Sequence, residues 1–146
     1  MLDQIYCRTL LREVPEIVER TQALRTLTLS DIPNSESFVY LREAANCYIS
    51  GLPQAAVALS RAAVENRLKA VCAKTFGEKA VAEADFLELI DGLSIRGRIL
   101  SKEGRDLAHV VRQAGNDVLH DKPTTSAAAL RVFEEARKII QLLHGK

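Results

Sequence analysis

Arg112, Asn116 and His120 recur every four positions in the run Arg112-Gln113-Ala114-Gly115-Asn116-Asp117-Val118-Leu119-His120. At about 100° per residue they share one helical face with Arg105 and His109, and Leu107, Val111, Ala114 and Val118 are expected on the opposite side. The polar stripe contains no carboxylate, because Asp106 and Asp117 are turned aside. A merely solvated face usually mixes both signs, so this row suits an anion or a partner. Cleavage of RNA through its 2′-OH needs a group that moves protons near neutral pH and a cation for the crowded phosphate. His120 fits the first task and Arg112 the second, while Asn116 would orient the imidazole or donate to a phosphate oxygen. About 12 Å of helical rise separates Arg112 from His120, so both reach one phosphate only if the arginine leans down or a second copy comes close. The competing reading is structural. An imidazole in the last turn is favoured by the helix dipole, and Arg112 and Asn116 would bond carbonyls or Glu65 across a helix interface.

Helices must position these groups, since apolar residues recur at three and four and alternation is nearly absent. A helix is expected over about residues 8–28, with Pro15 either in its first turn or kinking a longer one. Turn chemistry at Ser30–Ser35 then leads into a second helix carrying Phe38, Leu41, Ala45 and Tyr48 and broken at Gly51-Leu52-Pro53. From Gln54 to Phe76 runs an alanine-rich helix whose small side chains admit neighbours on more than one side. Within it Arg61, Glu65 and Lys69 form an (i, i+4) series. These are either weak ion pairs of about 0.3 to 0.5 kcal/mol each, or groups reaching the polar stripe from the adjacent helix. A short helix is expected from Asp85 to Leu93, then a loop-like basic patch with Arg96, Arg98 and Lys102. The stripe helix follows to His120, and Thr125 or Ser126 caps a last helix with Ala129, Phe133, Ala136, Ile140 and Leu143 inward.

The chain has 146 residues, 47% hydrophobic and 27% charged, which is ordinary for one domain spanning 1–146. Its formal net charge of +1 makes any attraction for nucleic acid local. Cys7, Cys47 and Cys72 are scattered without CxxC spacing and are expected as reduced core thiols. No histidine pair has a spacing such as HExxH, so neither a metal nor a cofactor is expected. No basic-then-apolar leader and no apolar run of membrane-spanning length is visible, which points to a cytoplasmic protein without a membrane partner.

Ala58-x-x-Arg61-x-x-x-Glu65 followed by Arg112-x-x-Gly115-Asn116-x-x-x-His120 resembles a prokaryotic family of unknown function within the HEPN superfamily, over about residues 36–143. The resemblance implies an all-α, up-and-down helical bundle with a short additional helix, and frequent dimerisation across the polar helix face. It also implies links to RNA cleavage, antiphage defence or restriction. Active HEPN ribonucleases carry arginine directly before the polar residue. Asn116 and His120 match the later positions, but Gly115 stands in the arginine place, where it allows close backbone packing. Two readings follow. One is a nucleic-acid- or defence-associated homodimer, with RNA or a defence-system protein as partner, that in its enzymatic version is a metal-independent endoribonuclease. The other is a non-catalytic interaction or dimerisation domain in which Arg61, Glu65, Arg112, Asn116 and His120 form a structural polar network.

Overall fold

Gly51 and Pro53 turn the first part of the chain back on itself. Gly51 adopts φ +77, a left-handed conformation that a side chain would strain, and Pro53 opens the next helix where its missing N–H costs nothing. The structure, a computed structural model, describes residues 2–24 and 36–146. All its regular elements are helical: α1 Leu2–Leu24, α2 Glu36–Ile49, α3 Pro53–Phe76, α4 Glu78–Val81, α5 Phe86–Asp91, α6 Lys102–Leu119 and α7 Ser126–Leu142. Between α5 and α6 the residues Gly92–Arg96 form a wider π turn, closed by the Gly97 N–H on the Gly92 carbonyl at 2.8 Å. No strand occurs among the described residues.

The central helix is α3, in contact with α2, α5, α6 and α7. Its small side chains allow this: Ala56, Val57, Ala63, Val64 and Leu68 are all buried, over an arc of about 140° of the helix. Helices α2 and α3 run antiparallel, since Ser37 at the start of α2 donates to Asn66 Oδ1 late in α3 at 2.9 Å. Helix α7 buries Ala129, Phe133, Ala136, Ile140 and Leu143 as its spacing predicts. Thr125 caps it by accepting the Ala128 N–H at 3.1 Å.

The first helix differs from expectation. It begins at Leu2, so Pro15 lies well inside it and withholds one N–H from the ladder. Positions 25–28 of the expected helix and the Ser30–Ser35 turn lie outside the described residues. Among the described residues its docked part is the C-terminal end, where Arg20 Nε donates to the Ile49 carbonyl at 2.8 Å and Leu24 meets the core. Residues 3–16 are exposed throughout. Cys7 is therefore a surface thiol and not the core thiol expected, because that part of α1 is exposed among the described residues, while Cys72 is buried and Cys47 half-buried. No described helix is long and apolar enough to cross a membrane.

On α7 one Glu135 carboxylate oxygen is buried without a hydrogen-bond partner. Burial pushes its carboxyl above the usual range, with Arg131 and Lys138 pulling the other way. A raised folded-state value favours the fold at low pH, and that contribution is lost as pH rises through it. Glu135→Gln is therefore expected to raise the urea midpoint at pH 7 and to leave it little changed near pH 4.

Candidate functional site

Both ends of α6 are fastened, which fixes the angular position of the stripe. Ser101 Oγ accepts the Gly104 N–H at 3.1 Å, so the helix starts at Lys102. At the other end Lys122 N–H bonds the Asp117 carbonyl at 3.0 Å and Asp121 N–H bonds that of Val118 at 3.3 Å. With Asp121 at φ 58, these make a Schellman motif in which aspartate takes the left-handed position usual for glycine. His120 is the C-cap residue, exposed, with its own N–H on the carbonyls of Asn116 and Asp117.

The innermost line of α6 is Gly104, Ala108, Val111 and Gly115. Expectation placed the polar and apolar stripes on opposite sides of the helix. Instead both flank this buried line: Arg105, Arg112 and Asn116 on one side, Leu107, Ala114 and Val118 on the other, all half-buried. The cause is contact with both α3 and α7 across a line of small residues, which sinks the helix deeply enough to half-cover each flank.

Gly115 has a specific neighbour. A Cβ added there would overlap the Arg61 Cδ and stand 2.9 Å from its Cγ. The aliphatic stem of Arg61 thus crosses α6 where a side chain is lacking, and its guanidinium continues to the Phe86 ring, 5.6 Å from the centroid. Gly115 is consumed by this contact, so Leu119, which is exposed, is the apolar group left open at that end of α6.

The Nε atoms of Arg61 and Arg112 are buried without hydrogen-bond partners. Neither guanidinium joins an ion pair among the described residues. The nearby acids are engaged elsewhere: Glu65 pairs with Lys69 at 3.0 Å, and Asp91 with Arg105 at 3.3 Å. Hydrogen bonds from Lys122 at 2.8 Å and Gln113 at 3.0 Å hold the Asp117 carboxyl below its ordinary range. The structure therefore brings Arg61 against Gly115 at the α3–α6 crossing, leaves Arg112 and Asn116 half-buried on one flank of α6 and His120 exposed at the helix end, and directs Glu65 along its own helix. Among the described residues no group of three His, Cys, Asp or Glu is placed to hold a metal ion.

Sequence reasoning missed a cleft of about 790 Å³ lined by Cys72, Phe76, Lys79, Leu89, Gly92 and Arg96. Arg96 stacks over the Phe76 ring at 4.8 Å. Burial pushes the Cys72 thiol up against a smaller pull from Arg96, so it is a poor nucleophile. The one sequence signal was the pair Gly92 and Gly97, which bracket the π turn beside the cleft.

A helical domain whose third and sixth helices cross with the Arg61 stem against Gly115 is thus the class that fold and site define. Residues 42–144 match the model of the domain of unknown function DUF4145, and the chain belongs to that family. No curated protein and no solved structure matches it significantly.

Two stability measurements probe the crossing. Gly115→Ala gains about 1 kcal/mol of helix propensity but forces the Arg61 stem aside, an overpacking cost of about 1 to 3 kcal/mol. Urea melts are expected to show a net loss that shrinks by about half or more in an Arg61→Ala background, since residues in contact couple. Glu65→Ala is expected to cost under about 1 kcal/mol, because its pair with Lys69 is a partly exposed bridge within one helix.

Proposed function

We propose that this DUF4145 chain is a HEPN-like, nucleic-acid-associated module of the kind linked to defence, acting as a homodimer and receiving RNA phosphates at the α3–α6 crossing. The observation that carries the reading is the pair of half-buried arginines, Arg61 and Arg112, which no carboxylate neutralises among the described residues. The terminal nitrogens of these guanidiniums, rather than the buried Nε atoms, are what phosphate oxygens would meet with charge assistance. Asn116 adds a neutral donor beside them. In the enzymatic version His120 moves the proton between the 2′-OH and the leaving oxygen while Arg112 stabilises the phosphate.

A second reading has its own observation. Gly115 occupies the place where active HEPN ribonucleases carry arginine, and the Arg61 stem fills the space above it. On this reading the polar residues set helix packing and the chain is a non-catalytic interaction domain.

Binding of a fluorescent single-stranded RNA, followed by anisotropy across a salt series, separates the two. Arg61→Ala and Arg112→Ala are each expected to weaken binding and to reduce the salt slope by about 0.7 for each phosphate no longer neutralised. Cleavage of RNA in EDTA, abolished by His120→Ala, is the expected result for the enzymatic version, with DNA left intact for want of a 2′-OH. Folded wild type that binds no RNA from a broad pool sinks the proposal in favour of the interaction domain. Binding without cutting retires the ribonuclease version alone.

A further inference from the structure

The cleft beside Phe76 combines an apolar floor with an arginine that no acid engages. Of its lining, Cys72, Leu89 and Gly92 are buried and Phe76 and Val81 half-buried. Its volume of about 790 Å³ lies within the range of about 300 to 1,000 Å³ usual for sites that hold small organic molecules, which join an apolar lining to a few polar groups. The π turn makes the room. A Cβ on Gly92 would stand 3.8 Å from the Phe76 Cε2 and 4.0 Å from the Cys72 Sγ, so a longer side chain there would run between two lining residues. Gly97 sits closer still, since its Cβ would lie 3.2 Å from the Phe76 Cζ, and this seats the turn against the tip of that ring. Widened turns of this kind recur at functional sites.

Arg96 supplies the charge. Its guanidinium lies over the Phe76 ring at 4.8 Å and has no hydrogen bond or ion pair among the described residues. Stacking occupies a face of the guanidinium and leaves its N–H groups, which lie in the plane, open to an acceptor. Three acids also line the cleft, so the sign of its potential is decided locally. Glu88 accepts the Asp85 N–H at 2.8 Å, and Asp91 pairs with Arg105 at 3.3 Å. Glu83 is exposed, as is the second cation, Lys79. Burial pushes the Cys72 thiol up, and the charge that acts on it is Arg96, which pulls it down. The floor therefore feels a cation and none of the three acids. A cationic guest is repelled there, and a neutral one strips water from Arg96 without replacing it.

We propose that the cleft is a binding site for a small apolar organic acid, its carboxylate held by the in-plane N–H groups of Arg96 and its apolar body laid against Val81, Leu89 and Ile95. Phe76 is then a positioning residue that holds the arginine flat. The site is apart from the α3–α6 crossing, so RNA binding there and acid binding here stand or fall independently.

Isothermal titration of the full chain with naphthoate, set beside the neutral naphthamide and the cation naphthylmethylammonium, tests the assignment. Naphthoate is expected to bind at least about tenfold more tightly than either of the others, because its carboxylate makes charge-assisted hydrogen bonds. Arg96→Gln is expected to weaken naphthoate by about tenfold or more and to leave naphthamide within about twofold. Ile95→Glu changes a side chain that is 60% exposed and sets an acid against the guest, so it too is expected to weaken naphthoate. Circular dichroism checks that both variants keep the helical fold. Binding is read a second way at Cys72, followed by mass spectrometry. Saturating naphthoate is expected to slow its labelling by N-ethylmaleimide several-fold, while Cys7, exposed on α1, reacts as before. No binding at millimolar naphthoate, equal affinity for naphthamide, an Arg96→Gln variant that binds like wild type, an unchanged Cys72 rate, or displacement of naphthoate by single-stranded RNA would each overturn the proposal.

Discussion

The Arg61 stem lying in the gap left by Gly115 determines how closely α3 and α6 approach, and much of the molecule follows from that approach. An arginine used as a hydrocarbon spacer buries its methylene groups against backbone and carries its charged end onward to Phe86. The same contact removes its Nε from water without supplying an acceptor. One packing decision therefore both holds two helices together and leaves polar capacity unspent beside them. Helix α7 closes the third side, so α6 is half-covered on both flanks and its arginines sit in a shallow rather than an open position.

The ends of α6 matter because a helix free to rotate would scatter its stripe. Ser101 sets where the helix begins, and the Schellman motif sets where it stops. Asp117 serves the latter end twice, through its carbonyl to Lys122 N–H and through its carboxylate to Lys122 Nζ. That double use keeps its negative charge away from Arg112 and Asn116, which the sequence alone suggested only by angular position.

The all-helical class, the extents of α3, α6 and α7, and the inward line of α7 were legible from three-and-four spacing and caps, because these helices are amphipathic and bounded by strong local signals. The environment of the candidate site was less legible. The inward line of α6 is made of glycine, alanine and valine, which hydrophobic periodicity weights weakly, so polar and apolar flanks look like opposite faces when they border the same buried line. Glu65 was equally placed to meet Lys69 or Arg112, and spacing alone does not choose between a neighbour on the same helix and one across an interface. Cys7 reads as a core residue because its apolar neighbours on α1 look like a buried face; only tertiary placement distinguishes such a face from one that nothing covers. The cleft beside Phe76 depends on a π turn, a local widening with no clear composition signal.

The three cysteines occupy graded depths: Cys7 in the open on α1, Cys47 half-covered on α2, and Cys72 buried in α3 at the wall of the cleft with its thiol on the Leu89 carbonyl at 3.7 Å. Alkylating reagents attack only thiolates they can reach, so these depths become a built-in clock for internal motion. Cys72 stands in the wall of the Phe76 cleft with 2% of its surface exposed, so its modification must wait for that wall to open further. Its labelling rate therefore reports how often that part of the bundle opens, against Cys7 as an internal standard for the reagent itself.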